Sequence, residues 1–192
     1  GYFSQDQIVS NVALSLIGGA NAVFGEVFGR ERVFIPFSTE GLINSVSNET
    51  LNLRAAGDWN LHFLFTVAAP IDSPLQTEYN IFSCLDDEGN LMEIVWDADT
   101  KEVWLRHINS GGPTTESDKV TLYEMTNTLF SLYVDKGTGE TTIKLNGVEI
   151  PGSPVADLPT NLEGLYFGGT VQGGTYPCPG FLSGVSLEYE VL

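Results

Sequence analysis

At 192 residues, with 42% apolar content and 11 Phe, 7 Tyr and 3 Trp, the chain has the material for a buried core, which excludes disorder. Its 8 Lys and Arg stand against 25 Asp and Glu, a formal charge of −17, so DNA, RNA and heparin-like polyanions are excluded as partners by repulsion. No apolar run approaches the ~20 residues that a spanning helix needs, and the chain opens at Gly1 with no basic segment ahead of an apolar one. It reads as a mature or excised segment of one domain, residues 1–192.

In chain order, the first strands are expected at Ile8 to Leu16, Ala22 to Phe28, Arg32 to Phe37 and Thr50 to Arg54. Asn48-Glu49-Thr50 between them fits the glycosylation pattern N-x-[ST], meaningful only in a secreted chain. Trp59 to Val67 alternates strictly, with Trp59, Leu61, Phe63, Phe65 and Val67 on one face and His62 on the other. Tyr79 to Leu85, Leu91 to Trp96 and Val103 to Ile108 follow, separated by Asp86-Asp87-Glu88-Gly89 and Asp97-Ala98-Asp99-Thr100. Such separators are turn chemistry, because short acidic side chains hydrogen-bond the local backbone. Val120 to Glu124 is one more short strand.

The last third is a hairpin. Phe130, Leu132 and Val134 alternate with Ser131 and Tyr133, and after Lys136-Gly137-Thr138-Gly139 the residues Thr142, Lys144 and Asn146 alternate with Ile143 and Leu145. Asn146-Gly147 supplies a second tight turn. Leu165 to Gly168 and Phe181 to Val191 complete about a dozen short strands. No stretch beyond one turn (Asp157-Leu158-Pro159) has helical periodicity. The fold class is all-β, two antiparallel sheets packed face to face as a sandwich.

Cys84 and Cys178 belong to no C-x-x-C pair, so neither a redox nor a zinc motif is present. They read either as one bridge or as two buried thiols, and in an oxidising compartment the bridge is expected.

The order of the C-terminal motifs resembles a laminin G-like (LNS) domain of the concanavalin A-like lectin and glucanase superfamily. The resemblance is carried by Gly164-Leu165-Tyr166-Phe167-Gly168-Gly169 followed by Gly180-Phe181-Leu182-Ser183-Gly184. It is supported by Asn90 to Trp96 and Glu102 to His107, which stand where that family has two central strands, and it covers roughly residues 30 to 192. It implies a laminin G-like jelly roll and a recognition module that is not an enzyme. Family members carry a rim calcium site with an Asp where Asn90 stands, so Asp86, Asp87 and Asn90 imply either no cofactor or weakly bound calcium. The family's cysteine at the position of Gly184 is missing, so a bridge in this chain would be non-standard.

Hydrolytic chemistry has little to build on. His62 and His107 lie in no nucleophile or metal motif, and Glu188 with Glu190 reads as the polar face of an alternating strand. The leading expectation is an extracellular adhesion module, secreted or part of an ectodomain, binding a protein partner through rim loops. Those loops are Asp86 to Asn90, Asn109 to Asp118 and Val171 to Pro179. The alternative is a lectin-like module for a glycan, with Trp104 and Tyr176 as stacking rings; for either ligand the rim loops offer Asp86, Asp87, Asn90 and Asn109 as candidate contacts. Trp96 falls in phase with Met92 and Ile94 as core, whereas Trp104 is out of phase with Val103 and Leu105.

Overall fold

The computed structural model describes residues 7–11, 15–16, 23–27, 30–35, 46–48, 56–68, 77–86, 88–152, 162–167 and 176–191. Among them there is no helix, and every regular element is a strand. Thr50 to Arg54, the Asp157 to Pro159 turn and Gly168-Gly169 lie outside the described residues.

Two sheets form. The first runs β14 (Val148–Glu149), β13 (Glu140–Leu145), β12 (Asn127–Asp135), β6 (Ala56–Val67), β17 (Gly180–Val191), β4 (Arg30–Ile35) and β3 (Val23–Val27). β1 (Gln7–Asn11) pairs with the far end of β17, beyond the stretch that holds β4. The second runs β10 (Thr114–Glu116), β9 (Glu102–Ile108), β8 (Leu91–Asp97), β7 (Glu78–Asp86), β15 (Leu162–Phe167), β5 (Val46–Asn48) and β2 (Ser15–Leu16). β11 (Val120–Thr121) flanks β9, and β16 (Tyr176–Pro177) lies parallel to β7. All other pairings are antiparallel, as expected for strands joined mostly by short turns.

The alternation read from the sequence sets the core. Trp59, Leu61, Phe63, Phe65 and Val67 are all buried, and they face Phe82, Met92, Ile94, Trp96, Leu105 and Phe167 of the opposite sheet. Phe63 is the hinge of this contact. It stacks on Phe130 at 5.1 Å within its own sheet, and meets Phe167 edge-on at 5.0 Å and Phe82 at 5.9 Å across the core. Aromatic pairs of this kind add about 0.5–1.5 kcal/mol each beyond the area they bury.

Two irregularities keep the phase. A bulge between Asn80 and Phe82 in β7 lets Tyr79, Phe82 and Cys84 all face inward although their spacing is odd. A second, between Ser183 and Ser186, is seated on Gly184 at φ 61°, and returns Leu187 to the core after Leu182. The Asn146-Gly147 turn forms as read, with φ of 50° and 83°.

The cysteine bridge is not made. Both thiols are buried, but β16 is registered with Pro177 beside Asn80, and the Cys178 amide donates to the Asn80 carbonyl at 2.8 Å. Cys178 therefore stands abreast of Ile81, three residues or roughly 10 Å short of Cys84. A disulfide needs Cα atoms within about 7 Å. The buried thiols thus give an oxidising, extracellular location no support.

Candidate functional site

The described members of the sequence-derived set, Asn90, Asn109, Trp104 and Tyr176, fall at three separate places. Asn90 and Asn109 are brought together: the Asn90 side-chain oxygen accepts the Ser110 amide at 3.0 Å, and the Asn109 carbonyl accepts the Gly112 amide at 3.0 Å. Those oxygens organise the β7–β8 and β9–β10 turns. Asp87 and the side chain of Asp86 lie outside the described residues, as does the side chain of Asn48. Among the described residues no group of three or more His, Cys, Asp or Glu side chains is gathered to hold a metal. Tyr176 pairs with Tyr79, at the opposite end of β7 from Asp86, and packs against the core.

Trp104 does point out of the second sheet, as its phase implied, yet it is 0% exposed. The Lys119 ammonium sits 3.9 Å from its ring centroid, the Arg106 guanidinium 5.4 Å away, and its indole N–H donates to Glu116 at 3.1 Å. The ring is thus covered and offers no open face to a sugar. Around it Arg106 binds Glu78 at 2.8 Å and Glu116 at 2.8 Å, with the buried Glu93 carboxylate 3.9 Å away, while Asn80 donates to Glu93 at 2.6 Å. Burial opposes ionisation of Glu116, but the Arg106 hydrogen bond and charge outweigh it and hold the carboxyl below its ordinary range. This network covers the outer surface of the second sheet around Trp104.

The open polar face is that of the first sheet, and its layout follows from strand register. Asn60 on β6 is paired with Tyr133 on β12, which is paired with Thr142 on β13; Glu188 on β17 flanks Asn60 on the other side. The next row toward β14 is Ser186, His62, Ser131 and Lys144. Toward the β12–β13 turn come Asp58, Asp135 and Glu140. Each faces outward because its strand neighbours, such as Trp59, Leu61, Leu132 and Leu187, face the core.

Between the turn and the Tyr133 ring lies a cleft of about 270 Å³ lined by Asp58, Asn60, Tyr133, Val134, Asp135, Glu140 and Thr142. Both its walls are fixed. The Asp58 carboxylate accepts the Lys136 amide at 2.9 Å, and the Asp135 carboxylate accepts the Thr138 amide at 3.0 Å, tying the turn down. The hydrogen bond from the Thr138 amide holds the Asp135 carboxyl below its ordinary range. Behind the Tyr133 ring stand His62, edge-on at 5.6 Å and hydrogen-bonded to Ser131 at 3.0 Å, and the Lys144 ammonium at 5.0 Å. A rigid aromatic wall, an amide, a hydroxyl and carboxylates make a small amphipathic cleft suited to a polyhydroxylated ligand.

Sequence reasoning placed His62 and Tyr133 outward but passed over them as a site. The available signal was a large aromatic at an outward position of a strand whose outward neighbours are small and polar.

No protein-family model matches the chain, and no curated protein matches it. Solved structures do match. Domain 4 of AbnA, a GH43 extracellular arabinanase from Geobacillus stearothermophilus in complex with arabinotriose, is similar at a TM-score of 0.64 and 13% identity, over 93% of this chain and 82% of that one. The binding domain of botulinum neurotoxin DC in complex with SialylT is similar at 0.57 and 11%, over 96% of this chain and 41% of that one. A mutant NanB sialidase from Streptococcus pneumoniae gives 0.56 and 14%, over 81% and 25%. At these identities the likeness is one of fold. The fold class is a jelly-roll β-sandwich of two antiparallel sheets; the laminin G-like subfamily is not singled out.

Proposed function

We propose that this chain is a non-catalytic carbohydrate-binding module of laminin G-like type, acting outside the cell and taking neutral oligosaccharides on the open face of its first sheet. The observation that carries this reading is the cleft in which Asn60 and Thr142 lie on either side of the rigid Tyr133 ring. Sugar rings present an apolar face to an aromatic and a ring of hydroxyls to amides, hydroxyls and carboxylates, and all of these groups converge here. Similarity to domains of a glycan-degrading enzyme and of a toxin crystallised with SialylT supports a glycan over the protein partner expected from the sequence.

Charge selects within glycans. Asp58, Asp135 and Glu140 line the cleft and Glu188 flanks it, so a sialylated or sulfated sugar meets like charge. Hydrolysis is a poor use of the same groups. A glycosidase needs one carboxylic acid held protonated, whereas the Asp135 carboxyl accepts the Thr138 amide, which favours its ionised form.

A protein partner is the second reading, favoured by one feature. The loop after β11 presents Tyr123 and Met125 at 65% and 56% exposure, with Met125 at φ 58°. It is pinned by the Lys101–Glu124 ion pair and by the Met125 amide on the Val67 carbonyl at 2.8 Å.

The test is calorimetric titration with neutral arabino-, xylo- and gluco-oligosaccharides and with sialyllactose. A neutral series is expected to bind and sialyllactose is not; Tyr133→Ala lowers the affinity by roughly tenfold or more while the melting curve is retained. Binding of sialyllactose in preference to every neutral sugar, or affinity indifferent to Tyr133, would sink the reading.

A further inference from the structure

Resting on the glycan reading, we infer that the ligand lies across the strands of the first sheet rather than along them, and that Glu188 is the far contact setting the preferred chain length. Along the strands the cleft is shut at both ends. One end is the β12–β13 turn, tied by Asp58 to Lys136 and by Asp135 to Thr138. The other is the Tyr133 ring, which cannot swing back because His62 and Lys144 stand behind it.

Across the strands no described side chain closes it, and the sheet continues on one side to β17 and then β1, whose Val9 is paired with Glu188. β14 pairs with β13 at Lys144 and Leu145, the Ile150 amide donates to the Ile143 carbonyl at 2.9 Å, and the Pro151 carbonyl then accepts the Asp118 amide, so among the described residues no strand pairs with Glu140 to Thr142 on the outer edge. On the other side the polar floor continues from Asn60 to Glu188, its direct partner on β17, half-buried and outward beside the buried Leu187. Thr142, Tyr133, Asn60 and Glu188 thus form one row over four strands. At 4.7–4.9 Å per strand spacing that row is roughly 14 Å long, a track for about three sugar residues. Tyr133 and Asn60 hold the central residue, and Glu188 accepts hydroxyl hydrogen bonds from the next one.

A site of this shape recognises the interior of a linear chain, not its terminus. Titration of the wild type with one- to four-residue members of the arabino-, xylo- and gluco- series reads this out. In the series that binds, affinity is expected to rise at least tenfold from one residue to three and to level off at four. Glu188→Gln should remove most of that rise while leaving the one-residue affinity within twofold, since Glu188 lies outside the cleft and its change does not disturb the core. An affinity flat from one residue to three would mean chain-end recognition and overturn the inference. A Glu188→Gln loss equal for short and long members would overturn it too. Failure of every series to bind would instead remove the glycan reading on which it rests.

Discussion

Replacing Gly180 with alanine is expected to destabilise the domain by roughly 3 kcal/mol, the upper end of overpacking effects in a close-packed core. Gly180 opens β17 and is paired on both edges, with Val67 of β6 and Ile35 of β4. A β-carbon there would run into the Thr66 carbonyl oxygen and lie 2.6 Å from the Phe65 ring, and neither has room to retreat. In melting temperature this is a fall of roughly 6–12 °C for a chain of this size. Gly184 is the control. Its φ of 61° disfavours alanine, but the new carbon would sit an ordinary 3.6 Å from Leu64, so the cost is about 1 kcal/mol. Equal losses at the two positions would show that the Gly-Phe start of the last strand is not the close approach described here.

Below pH 6.5 the domain should lose stability through His107. This residue sits on the inner face of β9 in phase with Val103 and Leu105, opposite Met92 and Thr115, 1% exposed. Among the described residues neither ring nitrogen has a hydrogen-bond partner. Burial pushes its pKa down from 6.5 to about 4. Above pH 6.5 both folded and unfolded chains hold the ring neutral and nothing is lost. As pH falls from 6.5 toward 4 the unfolded chain takes up the proton and the folded one does not, so folding weakens by on the order of 3 kcal/mol. Glu116 and Glu124, lowered by Arg106 and Lys101 against the effect of their burial, add their own losses only further down, below the ordinary glutamate range. Urea unfolding at pH 7 and pH 5 checks this. Wild type should lose much of the difference in that interval and His107→Leu should lose little. The same slope in both would assign the acid sensitivity elsewhere.

The scaffold was legible because burial obeys a period of two. Trp59 to Val67 and Phe130 to Val134 gave two adjacent inner strands of one sheet, and the residues between their core positions, Asp58, Asn60, His62 and Tyr133 among them, lie on its other face. Where pairing relies on backbone rather than pattern, the sequence was silent. β10 is Thr-Thr-Glu, β14 is Val-Glu and β16 is Tyr-Pro, each too short to show alternation, and all held by their neighbours. The cysteine pairing failed for a related reason, since the parallel register of β16 against β7 leaves no trace in either segment.

The site was harder. Trp104 looked like an exposed ring because phase reveals the side of a sheet but not what folds over it, here Lys119, Arg106 and Glu116. Tyr133 carried the opposite signature and was passed over. Its significance lies in Asn60, 73 positions earlier, and Glu188, 55 later, which only strand register sets beside it.

Amide and side-chain NMR during titration with a neutral trisaccharide from the series that binds tests the central claim most directly. The largest shifts should fall on Asn60, Tyr133, Thr142 and Glu188, with the Tyr133 ring protons moving most, while Asn90, Asn109, Trp104 and Tyr176 stay in place. Shifts concentrated on those four instead, or on Tyr123 and Met125, would place recognition at the rim and contradict a binding face on the first sheet.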